Sequence, residues 1–306
     1  MVLLALIMII TFFQMRAQKM GQLHVGGGTM AKHKQLNRIL AHLVLLLGAA
    51  AMILPFVWMV LTSFKSVTES TSMNPFIFFS PRPGGWRIIW RYGGRIIFLM
   101  LYWNTFAMMT LRVLCAVMFS AMAAYAFARL RFPGRDFCFS LVLFQMMVPT
   151  QIFIIPQYLM VDALGMRNTI FALLFPGLVS AFGTFLLRQF FMGLPKELEE
   201  AAKIDGCNIG QTFARIMLPL VRSGLVALGI FTALFSFKDL MWPMIVNTSS
   251  DAATLSSALA KIQSAFAVDY PELMAASVLA IWPMLLIYIL FQRQFIEGIA
   301  TSGGKL

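Results

Sequence analysis

The chain has 306 residues, 60% hydrophobic and only 12% charged, where a soluble domain carries about a quarter charged residues. With a mean hydropathy of +0.82, this excludes a soluble globular protein and indicates an integral membrane protein. The formal charge of +12 does not indicate a nucleic-acid partner, because the basic residues mostly flank apolar runs, where the positive-inside rule accounts for them.

Residues 2–13, "VLLALIMIITFF", form an apolar run that is short for a membrane span. No basic region precedes it and no small-residue cleavage site follows, which argues against a signal peptide. Spanning segments must be helices of roughly 20 mostly apolar residues or strands of a closed barrel, and the later runs are too long and continuous for barrel strands. The sequence predicts six such helices: Ile39 to Leu61, Thr105 to Phe127, Phe137 to Ile155, Thr169 to Leu187, Ser223 to Phe237 and Leu273 to Phe291. The fifth is short, with room to extend toward Met217 or Met244.

Lysines and arginines near the span ends set the orientation. Lys32, Lys34 and Arg38, then Arg129, Arg131 and Arg135, then Arg188 to Arg222, and finally Arg293 and Lys305 alternate to one side, which the rule makes cytoplasmic. Both termini are then cytoplasmic. Arg82, Arg87, Arg91 and Arg95 oppose this, lying in what becomes an outer loop.

Prolines 55, 149, 156, 176, 243 and 283 lie in or beside the spans. They produce either ordinary helix irregularity or a path of broken helices, as transporters use. Arg112, inside the second span, faces a polar interior or snorkels to the outer surface, and its place near the outer end favours snorkelling.

Three histidines (His24, His33, His42) and three cysteines (Cys115, Cys138, Cys207) show no ligand grouping, so neither a metal site nor a disulfide framework is expected. No G-x-x-x-x-G-K-[ST] phosphate loop is present. The sequence therefore offers no catalytic residues and no cofactor site.

Four of the 12 acidic residues fall in "ELEEAAKIDG", residues 197–206, within the longest cytoplasmic loop. Pro195 suits a first helical turn, Glu197, Glu199 and Glu200 favour the positive end of the helix dipole, and Glu199 stands four residues before Lys203. Gly206 supplies a left-handed stop. Asn208 and Gln211 form a capping pair for a second helix that buries Phe213, Ile216 and Leu218 before Pro219. The expected product is helix, glycine elbow, helix, with Ala201 and Ala202 leaving one side thin enough for another protein to approach. Composition alone also allows a plain solvated amphipathic loop.

The series Glu200-Ala201-Ala202, Asp205-Gly206, Phe213, Ile216, Leu218 and Pro219 resembles the EAA loop of binding-protein-dependent ATP-binding-cassette importer permeases. The likeness covers nearly everything from Met30 to Leu306. "ILPFVWMVLTSFKS", "AYAFARLRFPGRD", "MMVPTQIFIIPQYLM", "FLLRQFFMGLPKELEEAAKIDG" and "FQRQFIEGIATSGGKL" look like the carbohydrate-uptake class, in particular the subunit similar to the maltose system's G component. Two positions depart from the pattern: Ser223 stands where a second proline is usual, and Phe237-Lys238 where Trp-Asn is usual.

The resemblance implies an all-α polytopic membrane protein of six transmembrane helices, in a bacterial inner membrane, carrying a cytoplasmic coupling helix. It implies as partners a second homologous permease subunit, an ATP-binding-cassette ATPase dimer, an extracytoplasmic solute-binding protein, membrane lipid and a sugar substrate. ATP hydrolysis then belongs to separate subunits, gripping the loop at residues 195–219. The outer loop from Lys238 to Pro271 would meet the binding protein, and the tail after Arg293 the ATPase. "ALIMIITFFQMRAQKM" resembles the last span and tail of the partner permease, so residues 1–29 are expected to be an extension, a misassigned start or an upstream remnant before a permease domain of residues 30–306. The rival readings are a permease for a non-sugar solute, a motor-independent secondary transporter, and a membrane scaffold that only recruits a cytoplasmic partner.

Overall fold

A computed structural model describes residues 30–71, 85–87, 94–263 and 269–303. The extension expected at residues 1–29 lies outside the described residues. Among the described residues every regular element is a helix. The chain divides into two compact units, Met1–Gly85 with Tyr270–Ala275, and Trp86–Asp269 with Ala276–Leu306.

In the first unit, α1 (Met30–Ser63) carries Pro55 in its interior and ends at a turn that leads into α2 (Val67–Ser70). Ser66 and Glu69 form a reciprocal capping box: Glu69 N–H donates to Ser66 Oγ at 3.3 Å, and Ser66 N–H to Glu69 Oε2 at 2.8 Å. At Gly85 the chain passes so close to its neighbours that a Cβ would stand 2.1 Å from the Pro271 carbonyl oxygen, so only glycine fits.

The second unit is built on α3 (Gly94–Arg129), followed by α4 (Arg135–Met147), α5 (Ile154–Ala163), α6 (Ile170–Leu174), α7 (Ala181–Met192) and α8 (Glu197–Ile204). After the elbow come α9 (Ile209–Gln211), α10 (Leu218–Leu220), α11 (Arg222–Lys238), α12 (Met241–Val246) and α13 (Leu255–Gln263). The last helix, α14 (Tyr270–Gly303), starts in the first unit and continues in the second.

Among the described residues three segments are long and apolar enough to cross a bilayer alone: Ile39–Ser63, Phe98–Arg129 and Tyr270–Ile289. The third and fourth expected spans are not continuous. Arg135–Met147 meets Thr150–Ala163 at 99°, and Ile170–Gly177 meets Ala181–Met192 at 51°, so the count reaches six only if each bent pair is one span. The first break has a local cause, because Val148 precedes Pro149 and is held extended (φ −85, ψ 125). The fifth expected span is α11, which does not extend either way. It begins after a 78° bend from the segment Ile209–Leu220 and stops at Asp239, whose backbone is extended.

Small residues let α3 approach its neighbours. Ala116, Ser120 and Ala124, four apart and all buried, line one face of α3. Opposite Ser120 lies Gly183 of α7, where a Cβ would stand 2.8 Å from both Ser120 Oγ and a methyl of Leu228 on α11. Next to this contact Ala121, Ala124, Tyr125, Leu187, Phe191, Met217, Val221 and Leu228 form a buried cluster joining α3, α7, α11 and the chain at Met217 and Val221 on either side of α10.

Carbonyls freed by proline are capped by side chains. Pro176 cannot donate to the Ala172 carbonyl, which instead accepts from Trp242 Nε1 at 2.8 Å. Pro283 likewise frees the Leu279 carbonyl, which accepts from the Tyr102 hydroxyl at 2.5 Å. Inside an apolar bundle each of these carbonyls needs such a donor, because lipid supplies none.

Candidate functional site

The acidic segment forms the expected helix, elbow and helix. Lys196 is the N-cap of α8, and its carbonyl accepts from the Glu199 and Glu200 amides at 3.0 and 3.2 Å. Pro195 therefore stands just before the cap instead of inside the first turn. Glu197, Glu199 and Glu200 occupy that turn, where carboxylates offset the unbonded amides.

At the far end of α8 the Gly206 amide donates to the Lys203 carbonyl at 3.1 Å and the Cys207 amide to Ala202 at 2.9 Å. These two bonds are the Schellman closure, and Gly206 sits at φ 78, where it is left-handed as the sequence requires. The next helix opens on a reciprocal box: Gln211 N–H donates to Asn208 Oδ1 at 2.8 Å, and Asn208 N–H to Gln211 Oε1 at 2.9 Å.

Beyond the box, Thr212–Met217 is wound as a π-helix. The wider turn changes which side chains face the core. Phe213, Ile216 and Leu218 are half-buried against the cluster, and the fully enclosed residues are Thr212 and Met217. A 3.6-residue period cannot anticipate this shift, so the expected burial of the first three is corrected. Phe213 stacks against Tyr125 of α3 and Phe191 of α7 at centroid distances of 5.2 and 6.3 Å. Pro219 is exposed.

The two alanines differ. Ala201 is exposed, but Ala202 is 2% exposed and packed within the chain, so only Ala201 leaves room for an approaching protein. Glu200 and Asp205 face solvent, and Ile204 and Ile209 flank Gly206 at 86% and 61% exposure. Both large apolar side chains thus stand open on a charged turn.

Glu199 turns inward. Its ion pair is with Arg129, at the end of α3, at 3.8 Å, and not with Lys203. The same guanidinium donates to the carbonyls of Phe191, in the last turn of α7, and of Leu194, two residues beyond its end. Arg129 thus binds the elbow, α7 and α3 together. The sequence placed it only among the orientation charges. The available signal was its spacing, four residues after Tyr125 and thus on the face of α3 that holds Ala121.

A second polar group lies along α3. Arg112 does not snorkel: the residue is 6% exposed, and its Nε donates to the Leu173 carbonyl at 2.8 Å. Its Nη1 donates to Asp239 Oδ2 at 2.7 Å. Because the carbonyl and carboxylate satisfy the guanidinium within the bundle, it has no need of the surface. Gly177 makes room, since a Cβ there would stand 2.8 Å from Arg112 Cδ. Arg112 and Arg129 share one helix and at about 1.5 Å per residue stand about 25 Å apart, close to the thickness of a hydrocarbon core.

Residues 116–300 match the profile of a family described as binding-protein-dependent transport system inner membrane component. The chain is similar to the arabinooligosaccharides transport system permease protein AraQ of Halalkalibacterium halodurans, 35% identical over 83% of this chain and 91% of the relative. It is also similar to the lactose transport system permease protein LacG of Rhizobium radiobacter, 28% identical over 88% and 97% of the two chains. The sn-glycerol-3-phosphate transport system permease protein UgpE of Pectobacterium atrosepticum is 32% identical, over 86% and 96%. The fold of the present chain is similar to that of a chain in the crystal structure of a bacterial ABC transporter involved in the import of the acidic polysaccharide alginate. The TM-score is 0.74 at 21% identity, covering 88% of this chain and 99% of that one.

Proposed function

Because the chain belongs to the family of binding-protein-dependent transport system inner membrane components, we propose that it is the permease of a bacterial ATP-driven sugar importer. It forms half of the translocation path beside a second, homologous permease subunit. Relatives named for arabinooligosaccharides and lactose support a sugar as substrate, and UgpE, named for sn-glycerol-3-phosphate, supports the alternative of a related non-sugar solute.

The observation that carries the reading is the elbow. A charged turn presents Ile204 and Ile209 to solvent while its inward side is fixed to α3 by Glu199 and Phe213. That arrangement suits a handle gripped by a separate ATPase dimer, with Glu200, Ala201, Asp205 and Gly206 at the grip. Ala202, Phe213, Ile216, Leu218 and Pro219 carry the load into the bundle or frame it. The chain itself hydrolyses nothing. The positive-inside rule puts the elbow and both termini in the cytoplasm, and leaves the loop after Lys238 to meet the external binding protein.

The test is Ile204→Glu in cells carrying the intact transporter. A charge at this open position is expected to leave membrane insertion unchanged, to abolish co-purification of the ATPase, and to stop uptake of labelled arabinooligosaccharide or lactose. Uptake that proceeds with no ATPase attached, driven by an ion gradient, would overturn the reading in favour of a secondary transporter.

A further inference from the structure

The Arg112–Asp239 pair joins parts of the second unit that are otherwise connected through breaks. Arg112 stands on α3, an uninterrupted helix. Leu173, its carbonyl partner, lies just before the break between Gly177 and Ala181. Asp239 occupies the two-residue junction between α11 and α12. Its own carbonyl accepts from Ser256 Oγ at 2.7 Å, which ties α13 to the same point. One guanidinium therefore ties α3 to the junction at Asp239 and to the helical turn that precedes the break after Gly177, and junctions are where a helical bundle can hinge.

The partners are unequally covered. The Arg112 side chain is 7% exposed and that of Asp239 23%. If the pair opens, the carboxylate can exchange its partner for water, while Arg112 keeps the Leu173 carbonyl. Asp239 is then the partner that moves.

We propose that the Arg112–Asp239 pair is a latch. It holds the α11–α12 junction against α3 in this structure, and releases Asp239 to water when the end of the bundle remote from the elbow opens during transport. The inference rests on the proposed function, since opening is read through the partner ATPase. By linkage, anything that destabilises the latched state favours the unlatched one, and the ATPase senses the change without the binding protein.

The experiment uses the full chain assembled with its partner permease, ATPase and binding protein in liposomes. Asp239→Asn is expected to raise ATP hydrolysis several-fold in the absence of binding protein and sugar, with the amount of bound ATPase unchanged. The exchange Arg112→Asp with Asp239→Arg is expected to bring basal hydrolysis back toward the parent value. A pair that is only structural would lower the yield of complex and leave hydrolysis per assembled complex as it was, and that result overturns the latch. Should Asp239→Asn fail to assemble, Gly177→Ala keeps both charges and displaces the guanidinium with a methyl 2.8 Å from its Cδ. Raised basal hydrolysis in that variant supports the latch, and unchanged hydrolysis overturns it. A parent complex that holds no ATPase overturns the proposed function and the latch together, whereas a normal ATPase that ignores both variants overturns the latch alone.

Discussion

Met217 and Ile216 are neighbours in sequence with different burdens. Met217 is 0% exposed at the centre of the main cluster, and Ile216 packs only at its edge. The π-winding of Thr212–Met217 produces this order, and an α-helical register would have favoured Ile216. Met217→Ala should therefore leave a cavity and cost about 2–5 kcal/mol. Ile216→Ala should cost clearly less, because its site already opens to the surface and can relax. Thermal unfolding of the purified complex in detergent orders the two, and a larger loss for Ile216→Ala would mean the segment is regular α-helix. Gly206 shows the opposite relation to sequence. Its φ of 78 follows from an acidic helix ending before a second cap, and both signals stand in the ten residues around it.

At the level of elements, the broken helices are completed by side chains from elsewhere in the unit. Pro176 leaves the Ala172 carbonyl without its amide, and Trp242 Nε1, on α12, takes its place. Trp242→Phe keeps most of the packing but strands a buried acceptor, at a cost of about 1–3 kcal/mol. Pro176→Ala restores an amide that can reach Ala172 as the helix straightens. The Trp242→Phe loss should then shrink markedly in the Pro176→Ala background, as a double-mutant cycle of thermal midpoints would show. Equal losses in both backgrounds would mean that the indole matters through packing alone. The prolines left ordinary irregularity and broken helices both open, and the extended backbone of Val148 before Pro149 accounts for one of the breaks observed. What could not be read was the donor for each freed carbonyl. Trp242 lies 70 positions from Ala172, and Asp239 lies 127 from Arg112. Such pairings depend on how the elements pack, which one sequence does not display. Hence Arg112 invited snorkelling as a solution, although a carboxylate lay waiting at a helix end. The elbow was legible for the converse reason: its caps, its turn and its dipole charges all act over three to five residues.

At the scale of the molecule, α3 connects the elbow to the distant ion pair. Its two buried arginines grip the segment Ile170–Met192 near both ends, Arg112 through Leu173 and Arg129 through Phe191. In the proposed coupling, a load applied at Gly206 passes through α8 to Glu199, and from Glu199 to Arg129. A second route runs from Phe213 to Tyr125 by stacking. The ionic route is a long contact, at 3.8 Å, between side chains that are 6% and 24% exposed. Glu199→Gln removes the charge but retains the shape. Arg129 keeps the Phe191 and Leu194 carbonyls, so the bundle should still fold. The ATPase should still bind, because Glu200, Ile204 and Ile209 at the tip are untouched. If the elbow moves the bundle through this pair, the sugar carried per ATP hydrolysed should fall several-fold in reconstituted liposomes. By the reciprocity of linkage, added substrate and binding protein should also stimulate hydrolysis less than in the parent. Unchanged stoichiometry would assign the transmission to the Phe213–Tyr125 contact, and Phe213→Leu would then show the uncoupling that Glu199→Gln does not.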